Sequence, residues 1–239
     1  MKINNLKHYP KKVINFPLIV LISCFITLFS MHEAVNNGRK CCSLGLFSKQ
    51  NTLLINVFLL LSLHHQFKKL KIYPYLSFIC LMNCFVIIFF CLLFPEEKHI
   101  YFMEHKILTS AFLFYYFFID DSLINIKKFY IGITYPLIYF LISLLIGRYN
   151  PDLYPYLEKM PDLFRSDTLK VFGLTMIFFI IVTIFLFLSF CMVNAKNKII
   201  QQKYDIVYIQ KCKNKFYQIT FLMIFLCLLL QLICAVPFF

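Results

Sequence analysis

Apolar residues run along this chain in seven long blocks, at 16–31, 44–63, 72–94, 100–119, 129–147, 171–193 and 216–239, separated by short polar stretches. Most of them reach the about 20 residues that a helix needs to cross a hydrocarbon layer. None alternates at the two-residue period of a membrane barrel strand. A helix satisfies its own backbone in lipid, whereas an open strand does not. The pattern therefore predicts an all-α, polytopic membrane helical bundle with about seven transmembrane helices.

The polar intervals orient these spans. Lys2, Lys7, Lys11 and Lys12 precede the first block, Lys68, Lys69 and Lys71 follow the second, Lys127 and Lys128 follow the fourth, and six lysines from Lys196 to Lys215 follow the sixth. Alternate intervals thus hold 15 of the 24 Lys and Arg, and the others hold nine (24 − 15). Basic loops stay in the cytoplasm, so the N-terminus is predicted there and Phe239 on the far side. The first block follows a basic start, as a signal peptide does, but no small-x-small cleavage pattern follows Met31, which favours a retained anchor. The far-side interval 148–170 holds Pro151, Pro155 and Pro161 with three tyrosines and is expected to lie ordered at the interface.

Composition narrows the functional classes. Of 239 residues 61% are hydrophobic and 15% charged, and the mean hydropathy is +0.75, which excludes an ordinary soluble enzyme. The net charge of +13 would suggest nucleic acid in a soluble protein, but here it sits between spans and sets topology. The partners expected are membrane lipids, with no nucleic acid. Seven of the ten cysteines lie inside apolar blocks, where a small apolar side chain packs well, and there is no C-x-x-C. Neither a metal nor a cofactor is expected, since no phosphate loop or dinucleotide fingerprint occurs. Cys41-Cys42 is the one loop pair, open to oxidation or acylation.

Polar residues inside the spans are costly unless paired or wet, so they mark the candidate chemistry. The second span opens with Phe47-Ser48-Lys49-Gln50-Asn51-Thr52, and the fourth carries Glu104 and His105 with Thr109, Tyr116 and Asp120 following. Both spans run inward from the far side. At about 1.5 Å per residue, Ser48 lies about 6 Å and His105 about 7.5 Å in, a common depth. A hydroxyl beside an imidazole is the minimal equipment for acyl transfer. The alternative is that Ser48 and Asn51 hydrogen-bond between helices and His105 reaches headgroups.

Three segments resemble the androgen-induced gene family of multi-pass membrane hydrolases and its bacterial relatives. They are Phe47-Ser48-Lys49-Gln50-Asn51, the span-five run Ile133-Thr134-Tyr135-Pro136-Leu137-Ile138-Tyr139, and Leu153-Tyr154-Pro155-Tyr156-Leu157-Glu158. The resemblance covers about residues 16–193. It implies an intramembrane lipid-ester hydrolase, acting in characterised animal members on fatty acid esters of hydroxy fatty acids, with a Thr nucleophile and a His base. The nucleophile position falls on Ser48. The family's spacing of about ten residues from His to acid lands on Ser110 or Ala111, which leaves His105 as the histidine of that span. Asn51, Thr109, Tyr154, Tyr156 and Glu158 are the expected substrate-binding residues.

The expected organisation is a hydrolase-like six-span domain at 1–193, a basic cytoplasmic loop at 194–215 and an added transmembrane helix at 216–239. The expected function is cleavage of long-chain esters by Ser48. The competing class is a non-enzymatic membrane protein that binds a lipid or small solute, or a transporter subunit.

Overall fold

The computed structural model describes residues 15–36, 46–93, 102–147 and 168–204, which form helices joined by short turns and by the extended connection 120–125, with no strand among them. The helices are α1 Asn15–Asn36, α2 Phe47–Leu61, the short α3 His65–Lys69 and α4 Tyr73–Leu93. Next comes α5 at 102–119, built from a π segment Phe102–Leu108, an α segment Thr109–Phe114 and a second π segment Tyr115–Ile119. A 3₁₀ segment Ile126–Ile133 leads into α6 Thr134–Gly147, and α7 spans Thr168–Tyr204.

Local chemistry explains these boundaries. Pro17, Pro74 and Pro136 sit in first turns, where a missing N–H costs nothing. Hydroxyls inside the apolar helices bond back to the preceding turn: Thr27 Oγ1 donates to the Ser23 carbonyl at 2.8 Å, Ser62 Oγ to Phe58 at 2.7 Å and Ser143 Oγ to Tyr139 at 2.7 Å. An otherwise costly polar group is thereby satisfied without leaving its own helix. Asn125 caps the 3₁₀ segment by accepting from the Lys127 N–H at 2.9 Å, and Lys128, at φ −108° and ψ 19°, puts a kink inside it.

Side-chain contacts fix the directions. Ser30, late in α1, meets Lys49, early in α2. Phe58, late in α2, stacks on Tyr73, the first residue of α4, with ring centres 5.3 Å apart. Lys196, late in α7, meets Asp120, just past α5. The chain therefore passes up and down between two ends. One end gathers the starts of α2 and α5, and the other their finishes together with α3 and the basic residues Lys68, Lys69 and Lys71.

The core lies around α4, whose Phe78, Leu81, Met82 and Cys84 are fully enclosed. Half of its most apolar stretch is buried, against 22% for that of α7, so α4 is central and α7 peripheral. Gly132 allows the 3₁₀ segment to lie against α4: a Cβ there would stand 2.6 Å from both Met82 Cγ and Phe78 Cε1. Aromatic rings of α2, α4 and α5 fill the end of the bundle beyond, with Phe58 against Phe112 and Tyr115 at 6.0 and 6.2 Å. The Tyr73 and Tyr115 hydroxyls share a 2.6 Å hydrogen bond there.

Among the described residues two helices, over Tyr73–Leu92 and Phe178–Gln201, are long and apolar enough to cross a membrane. The shorter apolar stretch of α1 covers Phe16–His32. The other helices are shorter than the apolar blocks that announce them, because α2 begins at Phe47 rather than at 44 and α6 proper begins at Thr134 rather than at 129. The largest departure is in α7. It continues to Tyr204 instead of closing at 193, so the start of the expected basic loop 194–215 is helix, with Lys196 and Asn197 buried in it. The block at 216–239 lies outside the described residues.

Candidate functional site

Ser48, Lys49, Asn51 and Thr52 are all buried, although they occupy the first turns of α2, where helix ends usually meet solvent. They are enclosed by α1, α4 and α5. Lys49 Nζ lies 2.5 Å from Glu104 Oε1 and 2.7 Å from Ser30 Oγ, and approaches the Ser30 carbonyl at 3.5 Å. The ion pair joins α2 to α5, and the bonds to Ser30 tie both to α1. Both charged side chains are largely shut off from solvent, so each relies on the other for its charge to be tolerated. Gln50, on another side of the same turn, accepts a 2.6 Å hydrogen bond from the Tyr135 hydroxyl of α6.

Along α2, α4 and α5, several buried polar atoms are left over. Asn51 Nδ2 makes a long 4.0 Å contact with Cys84 Sγ, and the Cys84 thiol is also within reach of the Thr109 hydroxyl. Thr109 Oγ1 donates to the Glu104 carbonyl at 3.3 Å. Ser48 Oγ, Asn51 Oδ1 and Glu104 Oε2 are buried with no hydrogen-bond partner among the described residues, and so are both amide atoms of Asn83, the neighbour of Cys84. Buried polar atoms without partners are rare, and each calls for an explanation.

The π geometry of α5 sets this arrangement. A π turn closes on the fifth residue rather than the fourth, which brings Thr109 over Glu104. The same spacing recurs at the other end, where the Asp120 N–H donates to the Tyr115 carbonyl at 2.9 Å. Single π turns inside α-helices occur often at functional positions.

A second polar cluster occupies that other end. Asp120 Oδ2 accepts from Lys196 Nζ at 2.8 Å, from Ser77 Oγ at 2.7 Å and from Ser122 Oγ at 3.0 Å, while Oδ1 accepts from the Ser122 N–H at 2.9 Å. Lys196 Nζ also stands 3.7 Å from the centre of the Tyr116 ring. Next to it, Asn197 grips the Ile124 backbone twice, donating from Nδ2 to the carbonyl at 2.8 Å and accepting at Oδ1 from the N–H at 3.4 Å. Every oxygen of Asp120 is thus engaged. This cluster is a structural clasp between α4, α5 and α7. Nearby, Lys68 Nζ lies 4.6 Å from the centre of the Phe16 ring; desolvation lowers its ammonium below the ordinary value, against the pull of Asp120 and Asp121.

The sequence-derived residues divide accordingly. Thr109 bonds to the backbone of Glu104, Asn51 contacts Cys84 of α4, and Ser48 is buried beside Lys49 in the first turn of α2. His105 does not join them as expected: its Nδ1 lies 3.1 Å from Cys91 Sγ on α4, and Ser48 Oγ makes no hydrogen bond to it. One residue explains the separation, since Glu104 turns toward Lys49 and its chain neighbour His105 then projects on a different side of the π turn, toward α4. Tyr154, Tyr156 and Glu158 lie outside the described residues. The two ion pairs were missed. Glu104, Lys49 and Asp120 carried a signal, because each is a charge at the edge of an apolar block; Lys196 carried none, because it reads as one lysine of a basic loop. Among the described residues no group of three or more His, Cys, Asp or Glu side chains could hold a metal ion. The chain matches no family model, no curated protein and no solved structure.

Proposed function

We propose that the chain is a multi-pass membrane protein whose buried site around Lys49 and Glu104 binds the polar end of an amphiphile. The membrane reading is supported by an inverted distribution of polarity. Polar and charged side chains such as Ser23, Asn56, Asn83 and Lys196 are buried, while Leu18, Leu21, Phe25 and Leu28 make an exposed apolar stripe on α1 and Met176, Ile180, Ile184 and Phe187 another on α7. A soluble protein that exposed such stripes would aggregate, whereas in lipid they are the favourable surface. The alternation of chain direction and the gathering of Lys68, Lys69 and Lys71 at one end support crossing segments with that end, and the N-terminus, in the cytoplasm. Reporter fusions at Gly38, Lys71, Lys98 and Lys127 test this. Alternating far-side and cytoplasmic signals are expected, and two successive sites on one side would remove the crossing between them.

The observation that carries the binding reading is the set of unpartnered buried atoms: Ser48 Oγ, Asn51 Oδ1 and Glu104 Oε2. Leaving such atoms unmet typically costs about 1–3 kcal/mol each, a cost that a bound polar group would offset. The site lies near one end of the bundle, at the starts of α2 and α5.

Ester hydrolysis is the second reading, favoured by the free and buried Ser48 hydroxyl and by the resemblance of the α2, α6 and 153–158 segments to the membrane hydrolases. In it Ser48 Oγ attacks the ester carbonyl as a base takes its proton, the ester C–O bond breaks and the alcohol leaves with that proton, and water then releases the fatty acid and restores the hydroxyl. His105 fits that role only after turning from Cys91. General-base help is typically worth about 10²–10⁴ in rate. Labelling by a fluorophosphonate probe and hydrolysis of a long-chain ester, each lost in Ser48→Ala, are the results expected of an enzyme. A further drop of that size in His105→Ala identifies the base. Absence of labelling and of hydrolysis in the wild type leaves binding alone.

A further inference from the structure

A thiol near the end of α4 stands against a base. Cys91 Sγ lies 3.1 Å from Nδ1 of His105, which the first π segment of α5 turns toward α4. With the ring proton on Nε2, Nδ1 accepts the thiol proton. A thiolate is the reactive form of cysteine, and a histidine in hydrogen-bond contact is the usual means of producing it at the moment of attack. Ser48 Oγ, by contrast, has no hydrogen-bond partner among the described residues. Cys80 and Cys84 of the same helix are enclosed, whereas Cys91 and His105 are each half-buried. This end of α4 emerges from the core, since Phe90 and Leu92 on either side of the thiol are 54% and 77% exposed. A reactant therefore reaches the pair from the surface of the bundle.

Depth narrows the choice of reactant. The 21 residues of α4 make a helix of about 30 Å, the thickness of the hydrocarbon layer, so its end lies at the edge of that layer and Cys91 about 3 Å inside it. The neighbour of His105 agrees: Lys106 is exposed, with its ammonium 5.3 Å from the centre of the Phe102 ring, as suits a lysine at headgroup level. The ester carbonyls that join acyl chains to glycerol lie at the same boundary. We infer that Cys91 and His105 form a nucleophile–base pair that takes an acyl group from the ester of a membrane lipid. Cys91 Sγ adds to the carbonyl carbon as His105 Nδ1 takes the thiol proton. The ester C–O bond breaks, the alcohol leaves with that proton, and the acyl group stays on Cys91 as a thioester until water releases the fatty acid and restores the thiol. The inference rests on the membrane reading of the chain and puts Cys91 in place of Ser48 as the nucleophile.

The test places the full chain in nanodiscs of phosphatidylcholine whose acyl chains end in an alkyne. After acid quenching, protein-bound acyl groups are coupled to a fluorescent azide and located by peptide mass spectrometry, and released alkynyl fatty acid is counted alongside. Label on Cys91 is expected, removable by neutral hydroxylamine, which cleaves a thioester and spares an oxygen ester. Cys91→Ala is expected to lose both label and release. His105→Asn keeps a hydrogen-bonding group beside the thiol but cannot take its proton, and is expected to slow both by about 10²-fold or more. Alkylation of Cys91 by iodoacetamide near neutral pH, which needs no lipid, should slow by about 10-fold in the same variant.

Label on Ser48 that resists hydroxylamine overturns the inference and assigns the nucleophile to Ser48. Equal rates of label and release in wild type and His105→Asn overturn the pairing and leave an exposed thiol. Absence of both label and release overturns acyl transfer, whatever the alkylation rate. A chain that stays in solution without lipid or detergent removes the membrane reading, and the inference with it.

Discussion

The clasp between Asp120 and Lys196 predicts unequal costs for its two halves. Replacing Lys196 with Met removes a charged hydrogen bond of 2.8 Å to Asp120, a longer one of 3.4 Å to Ser122 Oγ and a cation resting over the Tyr116 ring, yet leaves Asp120 with three donors: Ser77 Oγ, Ser122 Oγ and the Ser122 N–H. A charged hydrogen bond is worth about 1.5–3 kcal/mol, and relief from burying an ammonium offsets part of the loss, so about 2 kcal/mol is expected. Asp120→Ala is worse. It strands a buried ammonium, for about 3–5 kcal/mol, and also unpairs the Ser77 and Ser122 donors. In the double variant no uncompensated charge remains. Its cost should fall below that of Asp120→Ala alone, with a coupling energy of about 2–3 kcal/mol. Equilibrium unfolding in mixed micelles, followed by helical circular dichroism, measures all three. Strict additivity of the two substitutions, or a Lys196→Met loss exceeding that of Asp120→Ala, would refute the reasoning that the carboxylate organises the clasp.

Two further substitutions probe packing and backbone satisfaction. Gly132→Ala places a methyl group 2.6 Å from Met82 Cγ and Phe78 Cε1, and overpacking of this kind should lower stability by about 1–3 kcal/mol, partly recovered by Met82→Ala; an unchanged midpoint would mean that the 3₁₀ segment does not lie so close to α4. Asn197→Leu strands the Ile124 carbonyl and N–H that the amide holds at 2.8 and 3.4 Å, so hydrogen exchange at the Ile124 amide should quicken by about 10-fold or more, and an unchanged rate would locate its protection elsewhere.

The sequence reveals the helices well and their interior poorly. Apolar blocks at 16–31 and 72–94 correspond closely to Asn15–Asn36 and Tyr73–Leu93, because burial of a long apolar run leaves little but a helix possible. The π turns of α5 are invisible to a reading at 3.6 residues per turn, and with them the bond from the Thr109 hydroxyl to the Glu104 carbonyl five residues back. His105 shows the same difficulty: depth along a span can be counted from sequence, but the direction of a side chain around it depends on helix type. Ion pairing was hidden for another reason. Lys49 lies 55 positions from Glu104 and Lys196 lies 76 from Asp120, and no local pattern links residues so far apart. A lysine in a basic stretch looks like all its neighbours until α7 is seen to carry it inward.

In the proposed membrane topology, the two lysine–carboxylate pairs, set at opposite ends of α5, also determine how the bundle responds to voltage. Each pair is electrically neutral, and the positive excess of the chain lies outside them. A movement of α5 that takes Lys49 and Lys196 along transports no charge, so the membrane potential does no work on it. Sliding α5 past α2 and α7 instead carries the charges of Glu104 and Asp120 through part of the field. That motion is worth up to about 2.3 kcal/mol per charge for each 100 mV crossed, besides the cost of opening both pairs. In that topology, motion that keeps both pairs closed moves no net charge of theirs through the field, and independent sliding of α5 does.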